Sequence, residues 1–241
     1  MVNGRPSMVG NRPVVIEPVT PPEPTPTVPS DMDFIYLAND FDGTKIPNRA
    51  DNSTFGDYIK YGTLTVNGSG ASCYLSNSGS DSNYLQNSLS SENATKIQGV
   101  NNVYTFFIRM MQDTSTAVGG IMSTRSNGGY IYMIRCVNKQ LQLHTTTGYN
   151  LSSDFSLAVD RVYKVVIDGA FFYAKNLDTN AEYNLTYSTI REMGTNMRSF
   201  DAFSNYNEAH LDRFYAFAGI ARATTAEEDE IIKTAMMNQS V

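Results

Sequence analysis

Apolar and polar positions alternate in short runs along most of this chain, so a period of two dominates over a helical period. In residues 103–110, Tyr104, Phe106, Ile108 and Met110 fall on one side while Thr105 and Arg109 fall on the other. That spacing predicts a strand with one buried face. Residues 118–123, 130–137 and 140–145 follow as an antiparallel meander, with turns at Asn127-Gly128-Gly129 and at Asn138-Lys139. Leu141 and Leu143 point inward in the last of these, which leaves Gln140, Gln142 and His144 on the opposite face. A hairpin joins 161–167 to 170–175 through Asp168-Gly169, a strong turn signal between two apolar runs. A turn at 177–180 and a strand at 181–187 come next. The final strand, 211–221, runs into a helix that Thr225 and Glu228 open as a capping box. Acidic residues fill its first turn, and Ile231, Ile232, Ala235 and Met236 form an apolar stripe. Earlier in the chain, apolar residues at 33–36 lead through 37–43 into an Asp42-Gly43 turn. Residues 44–101 are rich in Asn, Ser and Gly; brief strands at 58–61, 63–66 and 72–75 read as interruptions of long surface connections.

Proline usage divides this pattern in two. Of the nine prolines, all but Pro47 lie between Pro6 and Pro29. A ring-locked φ and a missing N–H favour extended polyproline II geometry there and forbid an independent core. Residues 1–31 therefore read as an extended arm, and residues 32–241 as one β-rich domain. Val14, Val15, Ile16 and Val19 stand out within the arm as apolar anchors, suited to a partner's groove or to strand addition; the arm is otherwise a spacer.

Composition narrows the function. With 15 Tyr, 12 Phe and no Trp among 241 residues, strands are favoured over helical bundles. A net charge of −6 without a basic cluster argues against nucleic acid as a partner. No window approaches the length of a membrane span, and the segment from Met1 to Pro6 is not followed by the apolar stretch of a secretion signal. Synthesis in a cytoplasm is the expectation. Cys73 and Cys136 cannot make a cysteine-only zinc site; they either pair or lie free in the core, and the apolar run before Cys136 favours the core.

The order of these elements carries a resemblance. The early strand ending Phe41-Asp42-Gly43, the loop-rich stretch, the Phe-rich strand at 104–110, the meander, the strand Tyr163-Lys164-Val165-Val166-Ile167-Asp168-Gly169, and the final aromatic strand leading into Ala223-Thr224-Thr225-Ala226-Glu227-Glu228 together resemble the concanavalin A-like, laminin-G-like jelly rolls. The similarity spans 33–238. It implies an all-β, two-sheet antiparallel jelly-roll sandwich with a Pro-rich N-terminal arm and one short C-terminal helix. Many bacterial and phage members of that family are carbohydrate-binding or adhesive modules. Behind such an arm, the domain resembles bacteriophage capsid decoration, head-fibre and tail proteins. The resemblance thus implies a place on the virion surface, docking to other virion proteins through the arm, a homo-oligomer, and host or mucosal glycans as ligands. The family often stacks sugars on tryptophan, so a sugar platform in this chain must use Tyr or Phe.

Chemistry-bearing residues are sparse. Glycosidases of similar fold carry a Glu-x-Asp-x-x-Glu strand motif, which is missing; a hydrolase is the alternative reading, and a non-enzymatic module the favoured one. The run Glu227-Glu228-Asp229-Glu230 suits a helix N-terminus. His144 and His210 have no Gly-x-Ser-x-Gly elbow to serve, and Asp40 and Asp42 lack a third calcium ligand in sequence. No metal or cofactor is implied. The candidate binding surface is the polar face formed by Arg109, Arg135, Gln140, Gln142 and His144, if their strands share one sheet; the plain alternative is a solvated outer face. Tyr149, Tyr187 and Tyr206, near predicted loops, are further candidates for stacking on sugars.

Overall fold

The computed structural model describes residues 27–51, 53–77, 83–99, 103–113, 118–126, 129–144, 148–169, 171–186, 194–199, 201–202 and 212–241. The arm anchors Val14, Val15, Ile16 and Val19 lie outside these, as do Tyr187, Tyr206 and His210. In chain order the first elements are β1 (Phe34–Leu37), β2 (Lys45–Ile46), β3 (Tyr58–Tyr61), β4 (Leu64–Asn67), β5 (Tyr74–Asn77), β6 (Tyr84–Ser88) and helix α1 (Ser91–Ile97). Next come β7 (Val103–Met111), β8 (Val118–Ser126), β9 (Gly129–Val137), β10 (Gln140–His144) and β11 (Gly148–Asn150). The remainder is β12 (Tyr163–Asp168), β13 (Phe171–Asn176), β14 (Glu182–Thr186), β15 (Asn196–Ser199), β16 (Asp201–Ala202), β17 (Arg213–Ile220) and helix α2 (Ala226–Asn238).

These strands build two antiparallel sheets. The first runs β14-β13-β12-β7-β17-β5-β4, with β1 paired to β17; the second runs β11-β10-β9-β8-β15-β6-β3-β2, with β16 paired to β8. The chain crosses between sheets at β1–β2, β3–β4, β5–β6, β6–β7, β7–β8, β11–β12, β14–β15 and β16–β17. Sequence neighbours therefore face each other across the core as often as they pair. Alternate residues of both inner faces meet there: Phe34, Tyr104, Phe106, Ile108 and Phe217 from one sheet, Tyr58, Leu85, Ile134, Leu141 and Leu143 from the other. The aromatic rings are interlocked, Tyr36 stacking on Tyr58 at 4.5 Å and Phe34 lying 5.1 Å from Phe217. Cys73 and Cys136 are both buried and unbridged, and burial pushes the Cys136 thiol far above its ordinary range.

The strand at 103–110 departs from its sequence reading. Tyr104, Phe106, Ile108 and Met110 fill the core, yet Thr105, Phe107 and Arg109 on the opposite face are also buried, because α2 lies over it. Ile232 and Met236 pack on Phe107 and on Ile35, Leu37, Ala216, Ala218 and Ile220 of the flanking strands. The predicted helix stripe splits accordingly. Ile232 and Met236 face the sheet, whereas Ile231 and Ala235 are only partly covered.

Both helix termini are held by charge. The Thr225 hydroxyl accepts from Glu228 N–H at 3.2 Å, and Glu228 accepts from Thr225 N–H at 2.9 Å, completing the predicted capping box. Asp229 in the first turn meets Lys164 of β12 at 2.8 Å, a pair buried on both sides. At the other end, Arg109 donates to the carbonyls of Met236 and Met237, and Gln239 adopts a left-handed C-cap with φ of 55°. Helix α1 lay hidden in the Asn/Ser-rich stretch. Ser90 caps it by accepting from Asn93 N–H, and only Ala94 and Ile97 mark its apolar side.

Two outcomes test this packing. A Cβ at Gly219 would meet the buried Phe34 ring at 2.6 Å and the Tyr104 hydroxyl at 2.9 Å, so Gly219→Ala is expected to cost about 1–3 kcal/mol, read as a lower urea midpoint. Glu228 is held down to about 2 by Arg222 and by the Thr225 N–H. A depressed carboxyl contributes stability above its unfolded pKa and loses it as pH falls through the folded value. Glu228→Gln should therefore lower the melting temperature at pH 7, with the gap to the parent closing between about pH 5 and pH 2. A gap that persisted at the acid end would remove the charge from this account.

Candidate functional site

Helix α2 lies over the first sheet, and the candidate surface is the outer face of the second. Inward residues along its strands are the core members Tyr58, Leu85, Met197, Ile134, Cys136, Leu141 and Leu143. Their alternates, Ile59 and Tyr61 on β3, Tyr84 and Gln86 on β6, Asn196 and Arg198 on β15, Arg135 on β9 and Gln142 on β10, point outward.

Register aligns these into cross-strand rows. Tyr61 lies opposite Tyr84, Ile59 opposite Gln86, and Gln86 opposite Arg198. Arg198 in turn faces Ser123 of β8. The Tyr61 and Tyr84 rings stack at 4.8 Å with planes 15° apart. On the far side of Tyr84 the Arg198 guanidinium lies over the ring at 4.1 Å. Three planar groups thus form a layered stack. Arg198 Nε donates to Gln86 Oε1 at 2.7 Å, and Gln86 Nε2 donates to Asn196 Oδ1 at 3.3 Å, so the amide and the guanidinium orient each other. Arg198 is 7% exposed and Gln86 8%, whereas Tyr61 and Ile59 are each 41% exposed. A fixed polar floor therefore stands beside an open aromatic and aliphatic rim.

A second pair of the same kind sits across β8. Arg135 Nε donates to Gln142 Oε1, and these residues are cross-strand partners on β9 and β10. Gly120 of β8 is opposite Arg135. The outer face thus carries two Arg–Gln pairs on either side of a strand that offers Gly120 and Ser123 between them.

The candidates read from sequence divide. Arg135, Gln140 and Gln142 do share the outer face of one sheet, and His144 ends the same strand, opposite Gly148. Arg109 does not join them. Its strand β7 belongs to the first sheet, because the chain crosses the sandwich between β7 and β8 instead of continuing the meander. There Arg109 is 3% exposed, bound bidentately to Asp160 at 2.7 and 2.8 Å and sealed under α2, so its role is structural. Gln142 is buried rather than solvated. Tyr149 lies on the edge strand β11. The aromatic members of the platform, Tyr61 and Tyr84, escaped sequence reading because their outward aim depends on register with β6 and β15. The available signal was a tyrosine at each end of a row.

Elsewhere the carboxylates have structural duties. Asp40 pairs with Arg49 at 2.6 Å, and Asp42 closes its turn by accepting from Thr44 and Lys45 N–H. Among the described residues no three His, Cys, Asp or Glu side chains gather as metal ligands.

Comparison with known proteins bears on the fold. No protein-family model and no curated protein sequence matches the chain. Solved structures do. Domain 4 of AbnA, an extracellular GH43 arabinanase from Geobacillus stearothermophilus, in complex with arabinotriose, superposes with a TM-score of 0.56 at 8% identity, over 84% of this chain and 98% of that one. The fold is a jelly-roll sandwich. A Trypanosoma rangeli sialidase in complex with 2,3-difluoro-KDN gives 0.57 at 9% identity, over 93% of this chain and 36% of the sialidase. A botulinum neurotoxin type C structure, whose cell entry depends on interaction with two ganglioside molecules, gives 0.57 at 11% identity over 86% of this chain. This jelly roll spans about half of that neurotoxin chain, 52% of its length.

Proposed function

We propose that this chain is a non-enzymatic, glycan-binding jelly roll that a bacteriophage particle displays on its surface. The observation that carries the glycan reading is the Tyr61–Tyr84–Arg198 stack on the outer face of the second sheet. A sugar ring offers C–H bonds on its faces and hydroxyls at its edge. Tyr61 and Ile59 supply apolar contact for the first, while the amides of Gln86 and Asn196 and the Arg198 guanidinium supply the donors and acceptors that suit the second. A domain of this fold has been solved with arabinotriose, a sialidase of which this fold covers 36% has been solved with a difluoro-KDN, and cell entry of botulinum neurotoxin type C depends on two ganglioside molecules. Those ligands support a sugar as the class without choosing the sugar.

The hydrolase reading has less support. Glycosidic hydrolysis uses two carboxyl groups flanking the scissile bond, and the platform is made of tyrosine, amide and guanidinium groups. Binding alone is also sufficient for adhesion. A platform of two stacked rings and a few hydrogen bonds gives a weak site, and display in many copies multiplies its effect. The virion half of the proposal rests on the Pro-rich arm ahead of the domain and on the resemblance to fibre and decoration proteins. In that reading the chain is made in the host cytoplasm, docks on other virion proteins through residues 1–31, and leaves the cell with the particle.

Each half has its own measurement. On a glycan array, full-length protein is expected to bind a defined sugar class. Tyr61→Ala should weaken that binding about three- to tenfold by calorimetry, the worth of one aromatic contact, and Tyr84→Ala should weaken it too by removing the ring that orders Tyr61 and Arg198. Tyr61→Ala should leave the melting temperature nearly unchanged, since that ring is largely open. Binding that survives both substitutions would move the site elsewhere, and release of free sugar from the bound glycan would reinstate the hydrolase. For the virion half, quantitative mass spectrometry of density-purified particles should find the chain at a constant copy number. Recovery only from the soluble lysate would refute display.

A further inference from the structure

Helix α2 has a second apolar side. Turned away from the sheet, Ile231 and Ala235 line a groove of about 500 Å³ together with Thr234, Val28, Thr27 and Val241. Its volume is in the range of real ligand clefts. Val241 is 56% exposed, among the most open large apolar side chains described. The chain itself enters at this groove, because Thr27 and Val28 form part of its wall and 26 residues precede them.

We propose that the groove receives residues 14–19 of a second copy of this chain, so that the copies are joined by exchanged arms. Val14, Val15, Ile16 and Val19 are the densest aliphatic run among those 26 residues and match the aliphatic lining. Arg12 lies two residues before Val14, and Glu230 at the groove supplies the opposite charge. The choice of a second copy over the same chain follows from reach. Seven residues lie between Val19 and Thr27, and in polyproline II geometry the steps from one to the other extend roughly 25 Å, at about 3.1 Å each. The thirteen residues of α2 extend roughly 20 Å, at about 1.5 Å each. An arm as extended as its prolines favour sets its anchors farther from Thr27 than its own helix is long. To bring them back, the chain would have to reverse within residues 20–26, where Pro21, Pro22, Pro24 and Pro26 stand without a glycine. The same stiffness that disfavours the arm's own groove favours a neighbour's. This contact is independent of the glycan platform, which lies on the other sheet.

Mixing experiments on full-length protein decide it. By sedimentation velocity at micromolar concentration, the parent chain is expected to be an oligomer. An arm variant, Val15→Asp with Ile16→Asp, and a groove variant, Ile231→Asp, should each sediment as a monomer. An equimolar mixture of the two should recover a two-chain complex, because one variant keeps an intact groove and the other an intact arm. Ala235→Glu provides a second groove variant if Ile231→Asp loses helical structure by circular dichroism. A monomeric parent, variants with the parent's mass, or a mixture that stays monomeric would each overturn arm exchange. So would a monomer whose arm resists protease only while Ile231 is intact, since that identifies docking within one chain.

Discussion

The guanidinium of Arg109 holds the architecture together. It is almost wholly removed from water, a state whose desolvation costs several kcal/mol unless every donor finds a partner. Here the partners come from four separate parts of the chain. Asp160 takes Nε and Nη2, the carbonyls of Ala71, Met236 and Met237 take Nη1, and the Tyr215 ring covers the plane at 4.5 Å. The cation sits at the carbonyl end of α2, where the helix dipole favours it. One side chain on β7 thereby fixes the loop before β12, the turn before β5, and the far end of the last helix. Lys164, on the adjacent strand β12, does the same for the near end through Asp229.

Fastening α2 at both ends makes the sandwich asymmetric. A two-sheet jelly roll has two outer faces, and the outward Phe107 of β7 with Ala216, Ala218 and Ile220 of β17 would leave the first sheet with an exposed apolar surface. The helix removes that surface from water on the first sheet alone. On the second sheet the outward positions hold amides, arginines and tyrosines, which tolerate water while remaining ordered by one another. The Gln86–Arg198 and Arg135–Gln142 pairs keep long side chains from sampling many rotamers, so the face presents groups that are already oriented.

Most of the strands were legible, because alternation over five or more residues has one simple explanation. Phe34–Leu37, Tyr58–Tyr61, Val103–Met111, the meander and the Asp168-Gly169 hairpin fall close to where the pattern puts them. The capped helix was legible for the same reason, from Thr225 and Glu228. Sheet membership was not. Periodicity reports which residues share a face of one strand, whereas the crossover between β7 and β8 depends on how a whole sandwich closes, and so Arg109 was grouped with residues on the opposite sheet. Burial on the second face of β7 was invisible locally too, since Thr105 and Arg109 are polar and only a distant helix covers them. Tyr84 sits in a strand, Tyr84–Ser88, whose one large aliphatic residue is Leu85; Asn and Ser around it mask the alternation. The aromatic half of the candidate site was thus lost with the weakest strand.

The placement of the two proposed surfaces follows from this asymmetry. The arm joins the head beside α2, since Val28 packs against the cluster that the helix covers on the outer side of the first sheet. The Tyr61–Tyr84 platform lies on the outer side of the second sheet, with the roughly 10 Å of interdigitated side chains that separate packed sheets in between. A head held through its arm is therefore held by its helix-covered side. Its aromatic platform then points away from whatever the arm grips, and anchoring and ligand access place no steric demand on each other.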